Sequence, residues 1–501
     1  MPQTDTKKRD PVPFALTRPL TYVGTATSDW QMNPLHDQSE WGEEVRRALR
    51  GEKNGLHVPV TREELPSSDL HGRRIWEAAA EAGGNAIRIS LDFAELCPEP
   101  GLFLKDVMAR TIRTLARCRA RGLLPILTLH HWTHPKRFAA YDSRGNIKRG
   151  ALEHPGIVEH FRFYVQSVAR SLFDSVLLRE ALEAAGDIDA ERWSEVPLVT
   201  RFVTLNEPVC MTVTPYVMGH FPPYQRFRFL KVLRLERKLK AMHRIAYEEL
   251  HEAARAAGLP DERSVHVGMA HNVAGSMIPF LNDFAGWGLV ERLQWGVASD
   301  FVGLQYYCRS RLNFRLHWPF LTLRGLNLRT WSDFPDTEVY PRGLEDVLRR
   351  ASHMFPGMPL WVSEFGFADR TDRKRPAWIL DSVASVIRAM NDDVPIHGAL
   401  LWTLTDNFEW QYGMSMRFGI YGKDGDRLPN DDGSQLSSRE AWSACTSHLL
   451  HPTPESAAHL AALSRQAHEQ LEEAFTSKAG AGPGDERSRT IRPAGPDMQT
   501  A

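Results

Sequence analysis

Eight short apolar segments recur along this chain of 501 residues, and longer segments with helical periodicity lie between them. Each apolar segment runs for four to eight residues, the length of a buried β-strand. The strand candidates are Leu20–Thr27, Ala86–Ser90, Leu124–Leu129, Arg201–Leu205, Val265–His271, Phe301–Tyr307, Leu360–Ser363 and Gly398–Leu404. Eight strand candidates that alternate with helical segments predict an α/β fold, namely a single (β/α)8 TIM barrel with long loops after its strands. A doubly wound sheet also alternates strands and helices, so periodicity alone leaves that alternative open.

Seven longer segments carry apolar residues at helical spacing or are bounded by residues typical of helix ends. The predicted helices are Leu70–Ala82, Asp106–Arg121, Pro155–Phe173, Leu230–Ala257, Arg342–His353, Arg375–Asn391 and Ser438–Leu449. These helices would form the outer layer of the barrel, since each follows a strand candidate.

Several segments do not fit the minimal strand–helix pattern. Residues 1–19 are predicted to be an N-terminal extension, and the barrel is predicted to span residues 20–450. Within it, the charged, helix-prone segment 174–197 is an insertion before the fourth strand, and Cys308–Tyr340 is a long loop after the sixth. Residues 451–478 are predicted to form a C-terminal helix, because apolar residues recur near helical spacing over Glu455–Thr476. The tail, 479–501, is rich in Gly, Pro, Ser and Arg and is predicted to be disordered.

The composition is ordinary for a globular protein, and we expect no metal and no cofactor. The formal net charge is −1, so no overall field attracts nucleic acid. The five cysteines are widely spaced without a Cys-x-x-Cys pair, which argues against a disulfide framework or a zinc site. Met1–Asp10 lacks the apolar core of a signal peptide, and no apolar stretch is long enough to span a bilayer. A cytoplasmic location is therefore expected.

Two glutamates, Glu207 and Glu364, follow strand candidates, where an α/β barrel carries its active site. Two carboxyls facing each other across a sugar ring are what cleavage of a glycosidic bond requires. For Glu207 the alternative is an ordinary solvated glutamate. For Glu364 it is a structural ion pair, because Arg88 lies inside a strand pattern and needs an anionic partner. We predict that Arg88 pairs with Glu364 and keeps it ionised.

Two further groups of polar and aromatic residues follow strand candidates. His130, His131 and His134 lie close together after the third strand, but the sequence contains no zinc motif. A hydroxyl-binding His131 is therefore the favoured interpretation, with the other two histidines structural. The decapeptide Leu401–Trp410 follows the eighth strand and contains Trp402, Glu409 and Trp410. Indole faces and a carboxylate that accepts two hydrogen bonds suit a sugar ring.

In this order, the segments resemble glycoside hydrolase family 1, the retaining β-glycosidases. The similarity extends from about Tyr22 to about Leu449. The matching segments are Gly24–Gln31, Ile87–Ser90, His131-Trp132, Thr204–Pro208, Asp300–Tyr307 and Trp402–Trp410, with Arg417-Phe418-Gly419 after them. Gly219–Pro223 and Ser415–Gly419 look more like the archaeal β-galactosidase/glucosidase branch of that family.

The resemblance implies a role for each matching residue. Glu207 would be the acid/base and Glu364 the nucleophile, with Arg88, Asn206 and Tyr307 contributing to catalysis. The implied sugar-binding residues are Gln31, His131, Trp402, Glu409 and Trp410. The substrate would be a neutral glycoside with a terminal β-D-glucosyl, galactosyl or fucosyl group.

Some positions depart from the family pattern. Phe365 replaces the usual Asn after the nucleophile, Gln305 replaces Asn, Thr133 replaces Asp, and Phe93 stands where Trp is common. None removes a charge that the chemistry requires.

Two alternative functions remain open. One is transfer of a glycosyl unit to a glycolipid or another acceptor, which would fit a lipid-headgroup surface at the arginine- and aromatic-rich loop Cys308–Tyr340 and the nearby basic segment Arg226–Arg244. A solvated rim and helix face is the simpler interpretation of these two segments, so membrane-surface contact is not the favoured expectation. The other is an inactive carbohydrate-binding homologue, suggested only by Phe365 and by the insertion. The sequence does not indicate an oligomeric state.

Overall fold

The computed structural model describes residues 14–36, 38–67, 72–184, 186, 188–195, 197–259, 265–273, 275–276, 287–310, 312–317, 320–325, 332–333 and 338–476. The tail predicted at 479–501 and the first part of the predicted N-terminal extension therefore lie outside the described residues.

Eight parallel strands close into a barrel, so the predicted (β/α)8 fold is confirmed. The strands are β1 (Tyr22–Ala26), β2 (Ala86–Ser90), β3 (Leu124–Thr128), β4 (Arg201–Asn206), β5 (His266–Asn272), β6 (Phe301–Tyr306), β7 (Leu360–Phe365) and β8 (Ile396–Trp402). Each strand pairs with its neighbours in sequence, and β1 pairs with β8 to close the cylinder. All eight overlap a strand candidate. Strands that are buried on both faces of the sheet have short, nearly continuous apolar sequences, which is why they could be located.

In the described part of the chain, eight helices form the layer around the barrel strands. They are Arg73–Glu81, Lys105–Ala120, Ile157–Phe173, Phe229–Ala256, Gly288–Gln294, Gly343–Met354, Arg375–Asn391 and Ser438–Leu450. Further helices lie in the loops at Asp29–Met32, Glu40–Leu49, Phe93–Leu96 and Cys210–Val213. The main hydrophobic core lies between the strands and this helical layer, and a smaller cluster around Trp361 and Phe301 fills the barrel interior.

The helix Arg375–Asn391 is apolar around most of its circumference, because a further helix covers its outer side. That covering helix is Pro454–Thr476, which buries Leu460 and Ala467. Gln470 fixes its position by donating to the carbonyl oxygens of Arg373 (3.0 Å) and Leu436 (3.2 Å). The C-terminal helix is therefore part of the folded domain. The apolar face of its amphipathic pattern is the face that packs against the barrel helices.

The insertion before β4 forms two helices, Ser175–Glu183 and Ala190–Ser194. Asp174 begins the first by accepting from the backbone N–H groups of Val176 and Leu177. Leu178 and Leu182 bury the inner face of this helix against the outer helical layer. The described part of the insertion therefore thickens the outside of the barrel.

The segment Cys308–Tyr340 differs from the prediction of a plain loop. It contains an antiparallel hairpin of Leu312–His317 with Phe320–Gly325, with His317 opposite Phe320. The sequence signal was an alternation of apolar and polar residues along both strands, which is typical of a hairpin.

No helix in the described part of the chain is both long and apolar enough to cross a bilayer.

Candidate active site

A cavity of about 220 Å³ opens at the carboxyl ends of the barrel strands. Nine of the ten residues predicted for the site line it, namely Gln31, His131, Asn206, Glu207, Tyr307, Glu364, Trp402, Glu409 and Trp410. The tenth, Arg88, lies behind the cavity wall. Residues on six different strands or the loops after them meet here, as the barrel geometry requires.

Glu364 lies near the end of β7, and its carboxylate is bound on both oxygens. Arg88 forms a buried ion pair with Oε1, and the Tyr307 hydroxyl donates to Oε2. The predicted pairing of Arg88 with Glu364 is therefore present. Burial raises the pKa of the Glu364 carboxyl, and the Arg88 guanidinium and the Tyr307 hydroxyl oppose that rise. The charged form of Glu364 is thus held by a cation and an O–H donor.

The backbone around Glu364 is shaped to present this side chain. The pairing of β7 with β6 shifts register between Val362 and Glu364, and such an irregularity re-aims the side chain beside it. Two residues later only glycine fits, because a Cβ on Gly366 would lie 2.3 Å from the Trp402 carbonyl oxygen.

Phe365 points away from the cavity. Its ring is fully buried and packs against Trp378 (centroids 5.8 Å apart) and Trp442 (5.7 Å) in the helical layer. Neighbouring residues of a strand face opposite sides, so the aromatic residue after Glu364 is a packing residue. The insertion also lies outside the site. Neither feature that suggested an inactive homologue therefore touches the cavity.

Glu207 follows β4 and has a left-handed backbone conformation, with φ of 46°. Its N–H donates to the Ala270 carbonyl oxygen (2.7 Å), which fixes this bend. The carboxyl accepts from Asn272 Nδ2 (2.9 Å) and from the Cys210 thiol. Burial and the nearby charge of Glu364 raise the pKa of Glu207 to about 8. The two carboxyls therefore differ, because only Glu364 has a cation beside it.

Arg88 contacts both the Glu364 carboxylate and the Asn206 side chain from behind the cavity wall. Its side chain is almost fully buried and contacts Glu364, the Thr128 hydroxyl (2.9 Å) and Asn206 Oδ1 (2.5 Å). Because it does not line the cavity, it acts through Glu364 and Asn206 and is a positioning residue.

Asn206 is held by several partners at once. Its Oδ1 also accepts from Gln305 Nε2 (2.7 Å), so the longer side chain at position 305 still reaches the site. Its Nδ2 donates to His131 Nε2 (3.2 Å). Burial and the nearby Arg88 charge lower the pKa of His131 well below its usual value, so the ring is neutral. A neutral imidazole suits a hydroxyl ligand better than an anionic one.

The far end of the cavity is built from Gln31, Glu409 and the indoles of Trp402 and Trp410. Gln31 Nε2 donates to the Glu409 carboxyl (3.3 Å) and to the Phe408 carbonyl oxygen (3.1 Å). Gln31 Oε1 has no hydrogen-bond partner in the described part of the chain. Burial and the Glu364 charge raise the pKa of Glu409 to about 8. The unpaired Gln31 Oε1 and the Glu409 carboxyl beside it can both accept hydrogen bonds from the hydroxyl groups of a ligand.

His130 and His134, and the residues Thr133 and Phe93 that differ from the family pattern, pack or form hydrogen bonds outside the cavity lining. His130 and His134 lie 4.7 Å apart between ring centroids, and no cluster suited to a metal ion occurs among the described residues. Thr133 donates to Asp92 (3.0 Å), and Phe93 is fully buried.

Several residues of the cavity were not predicted. Asn272 ends β5 and binds Glu207, but the strand candidate ended one residue earlier. Cys210, whose thiol donates to Glu207 from outside the cavity lining, was not predicted either. The aromatic wall also includes Trp132, Phe221, Tyr412 and Phe418. A polar residue at the end of a strand was the signal used for Glu207, and the same signal would have found Asn272.

The model of glycosyl hydrolase family 1 matches residues 299–432, which span β6 to the segment after β8. The chain is 25% identical over 424 residues to a β-galactosidase of Sulfolobus acidocaldarius, covering 77% of this chain and 80% of that protein. It is 25% identical over 376 residues to the chloroplastic galactolipid galactosyltransferase SFR2 of Arabidopsis thaliana, covering 69% of this chain and 52% of that protein. It is 23% identical over 446 residues to a 6-phospho-β-galactosidase of Lacticaseibacillus rhamnosus, covering 74% and 86%.

Among solved structures, the β-glycosidase from Pyrococcus horikoshii superimposes with a TM-score of 0.63 at 22% identity, covering 90% of this chain and 98% of that one. At this identity the likeness supports the barrel fold.

Proposed function

We propose that the chain belongs to glycosyl hydrolase family 1 and works as a retaining β-glycosidase. It hydrolyses the terminal non-reducing β-D-glucosyl, galactosyl or fucosyl bond of a neutral glycoside. The observation that carries this proposal is that Glu207 and Glu364 line one cavity while only Glu364 faces a cation. Two carboxyls in one pocket with different environments suit one proton donor and one nucleophile.

In the first step, the Glu364 carboxylate attacks the anomeric carbon and the bond from that carbon to the leaving oxygen breaks. Glu207 gives its proton to that oxygen, so a neutral alcohol leaves and a glycosyl ester remains on Glu364. Loss of the Glu364 charge lowers the proton affinity of Glu207, since that charge had helped to raise its pKa. Arg88 and Tyr307 hold Glu364 in place for attack.

In the second step, Glu207 takes a proton from water. The resulting hydroxide equivalent attacks the anomeric carbon, the ester bond breaks and Glu364 regains its charge. Two inversions give net retention, which requires the two carboxyls to be about 5–5.5 Å apart. Asn206, fixed by Arg88 and Gln305, would bind the sugar 2-hydroxyl, a contact that strengthens in the transition state.

The sugar is proposed to be neutral. Glu409 would accept hydrogen bonds from the sugar hydroxyls farthest from the anomeric carbon, with Gln31 beside it. Among the described residues that line the cavity, none is Lys or Arg. A 6-phosphate requires cationic donors, and a carboxyl in that place offers none.

A panel of aryl β-glycosides tests the proposed function. We expect turnover of gluco, galacto or fuco substrates and a kcat/KM at least about 100-fold lower on the matching 6-phospho substrate, because Glu409 would lose its hydrogen bonds and no Lys or Arg of the described lining would bind the phosphate. Steady-state kinetics with one common aryl leaving group measures this. A preference for the phosphorylated sugar would refute the neutral-substrate proposal, and no turnover of any member would refute the activity.

The pH profile should follow the proton on Glu207. Because its pKa is raised to about 8, Glu207 keeps its proton below that pH and loses it as pH rises through it. We expect kcat/KM to fall on the alkaline side with an apparent pKa near 8, and on the acid side once Glu364 is protonated. Replacement Glu207→Gln should remove the alkaline fall. An unchanged alkaline limb in that variant would contradict the role of Glu207.

A second candidate function is transfer of the glycosyl unit to another acceptor. The similarity to a protein named galactolipid galactosyltransferase favours it. The glycosyl ester on Glu364 would then be intercepted by an alcohol in place of water. Analysis of the products from a galactolipid, with and without added acceptor, distinguishes transfer from hydrolysis.

We also propose a cytoplasmic location. All five cysteines are free, and three of them are buried, which is consistent with a reducing compartment.

A further inference from the structure

An exposed apolar cluster lies at the start of the long helix Phe229–Ala256. Phe227 is 75% exposed, Phe229 60% and Leu230 73%, and Met218 nearby is also exposed. Scattered apolar side chains are common on protein surfaces, but four large ones within thirteen residues are not. Phe227 also has a left-handed backbone, with φ of 57°, which is unfavourable for a bulky residue. A strained segment that exposes apolar side chains indicates a surface that is covered in function.

A basic stripe continues from this cluster along the same helix. Arg226 to Arg244 contains eight Lys and Arg residues and a single acid, Glu236, whose side chain is buried. Leu230, Arg234, Arg237 and Arg244 lie on one helical face over about 21 Å. In the part of the chain that the structure describes, these three arginines are exposed and make no ion pair. These three arginines are therefore a row of uncompensated positive charge, whereas Lys231 pairs with Glu153.

A second apolar side chain flanks the stripe farther along. Trp295 is 74% exposed, and the Lys240 ammonium donates to its carbonyl oxygen. Lys240 lies about 15 Å along the helix from Leu230. Exposed apolar side chains thus lie at the start of the stripe and again next to Lys240.

We propose that this face docks on a membrane surface rich in anionic lipid. Apolar side chains that enter the headgroup region, together with lysine and arginine, are what binding to such a surface requires. Charge complementarity selects this partner, because a second copy of the chain would set one basic stripe against another.

The docking face adjoins the mouth of the active site. The N–H groups of Phe227 and Arg228 donate to the carbonyl oxygens of Val217 (3.1 Å) and Tyr216 (2.8 Å). A few residues further, Phe221 lines the cavity. A docked protein would hold the cavity rim beside the lipid headgroups. If the proposed glycosidase function holds, a glycolipid can then present its sugar while its chains stay in the membrane.

Co-sedimentation with vesicles tests the docking without relying on catalysis. The full chain should pellet with phosphatidylcholine vesicles that contain phosphatidylglycerol, and stay in solution with phosphatidylcholine alone. Added salt should weaken the binding, since it screens the stripe. The double variant Arg234→Gln/Arg237→Gln should weaken partitioning about 25-fold, and Arg179→Gln, an exposed arginine on the insertion, should not.

The triple variant Phe227→Ser/Phe229→Ser/Leu230→Ser should lose vesicle binding while hydrolysis of a soluble aryl glycoside is unchanged. The matched control Val176→Ser replaces a side chain that is 63% exposed on the insertion, and should bind as the parent does. The proposal fails if the parent protein does not bind anionic vesicles at low salt, or if the triple variant still binds those vesicles. It also fails if the triple variant instead dissociates a dimer, which would make the face an interface between copies. Since Glu364→Gly should bind vesicles normally, failure of the docking and failure of the catalytic proposal are separable.

Discussion

Replacement Glu364→Gly is expected to reduce hydrolysis of an aryl β-glycoside by about 10⁵-fold, because it removes the carboxylate that is proposed to attack the anomeric carbon. Added azide should restore turnover and give a glycosyl azide of inverted configuration. The small anion would occupy the space that the carboxylate leaves, beside the Arg88 guanidinium. Release of the phenol measures the rate, and NMR of the product gives its configuration.

A loss of stability must be separated from a loss of chemistry, since breaking a buried ion pair costs roughly 3–5 kcal/mol. Asp372→Asn is the matched control, because Asp372 pairs with the buried Arg375 (2.8 Å) and does not line the cavity. This control should lower the melting temperature and keep kcat. Full activity of Glu364→Gly without azide, or no rescue by azide in a folded variant, would remove Glu364 from its role.

Replacement Glu207→Gln is expected to reduce turnover by about 10²–10⁴-fold for substrates with a poor leaving group. An activated phenol needs no proton, so its first step should slow much less and the glycosyl ester should accumulate as a burst. The measurement is a series of aryl glycosides whose phenols differ in pKa, compared between parent and variant.

Glu44→Gln is the control for this replacement, because it removes an equally buried carboxyl that binds the Gly55 N–H (2.6 Å) outside the cavity. It should show the same dependence on leaving group as the parent. If Glu207→Gln slowed all aryl glycosides equally, Glu207 would be a structural residue and another acid would have to be found.

The barrel could be predicted because each strand is buried on both faces and reads as a short apolar run. The positions of Glu207 and Glu364 followed from the same fact, since a charged residue that ends such a run must lie at the strand's carboxyl end. Arg88 was also readable, because a guanidinium inside an apolar strand needs an anion and Glu364 supplies it.

Other parts of the site depend on backbone geometry that cannot be predicted from the pattern of apolar and polar residues. Asn272 reaches Glu207 because β5 continues one residue beyond the predicted end. The register shift before Glu364 and the left-handed backbone of Glu207 set the aim of both carboxyls, and neither leaves a mark in the apolar pattern. The orientation of Phe365 also could not be predicted from its identity. An aromatic residue next to the nucleophile suggested a disturbed active site, but the side chain points into the helical layer because neighbouring residues of a strand face opposite sides.

The most direct test of the central claim is to trap the covalent intermediate with a 2-deoxy-2-fluoro-β-glycoside that carries an activated leaving group. We predict that the intact protein gains the mass of one fluorosugar and that peptide mapping places it on Glu364. A label on any other residue, or a folded protein that turns over ordinary β-glycosides with inversion and never takes the label, would contradict the account.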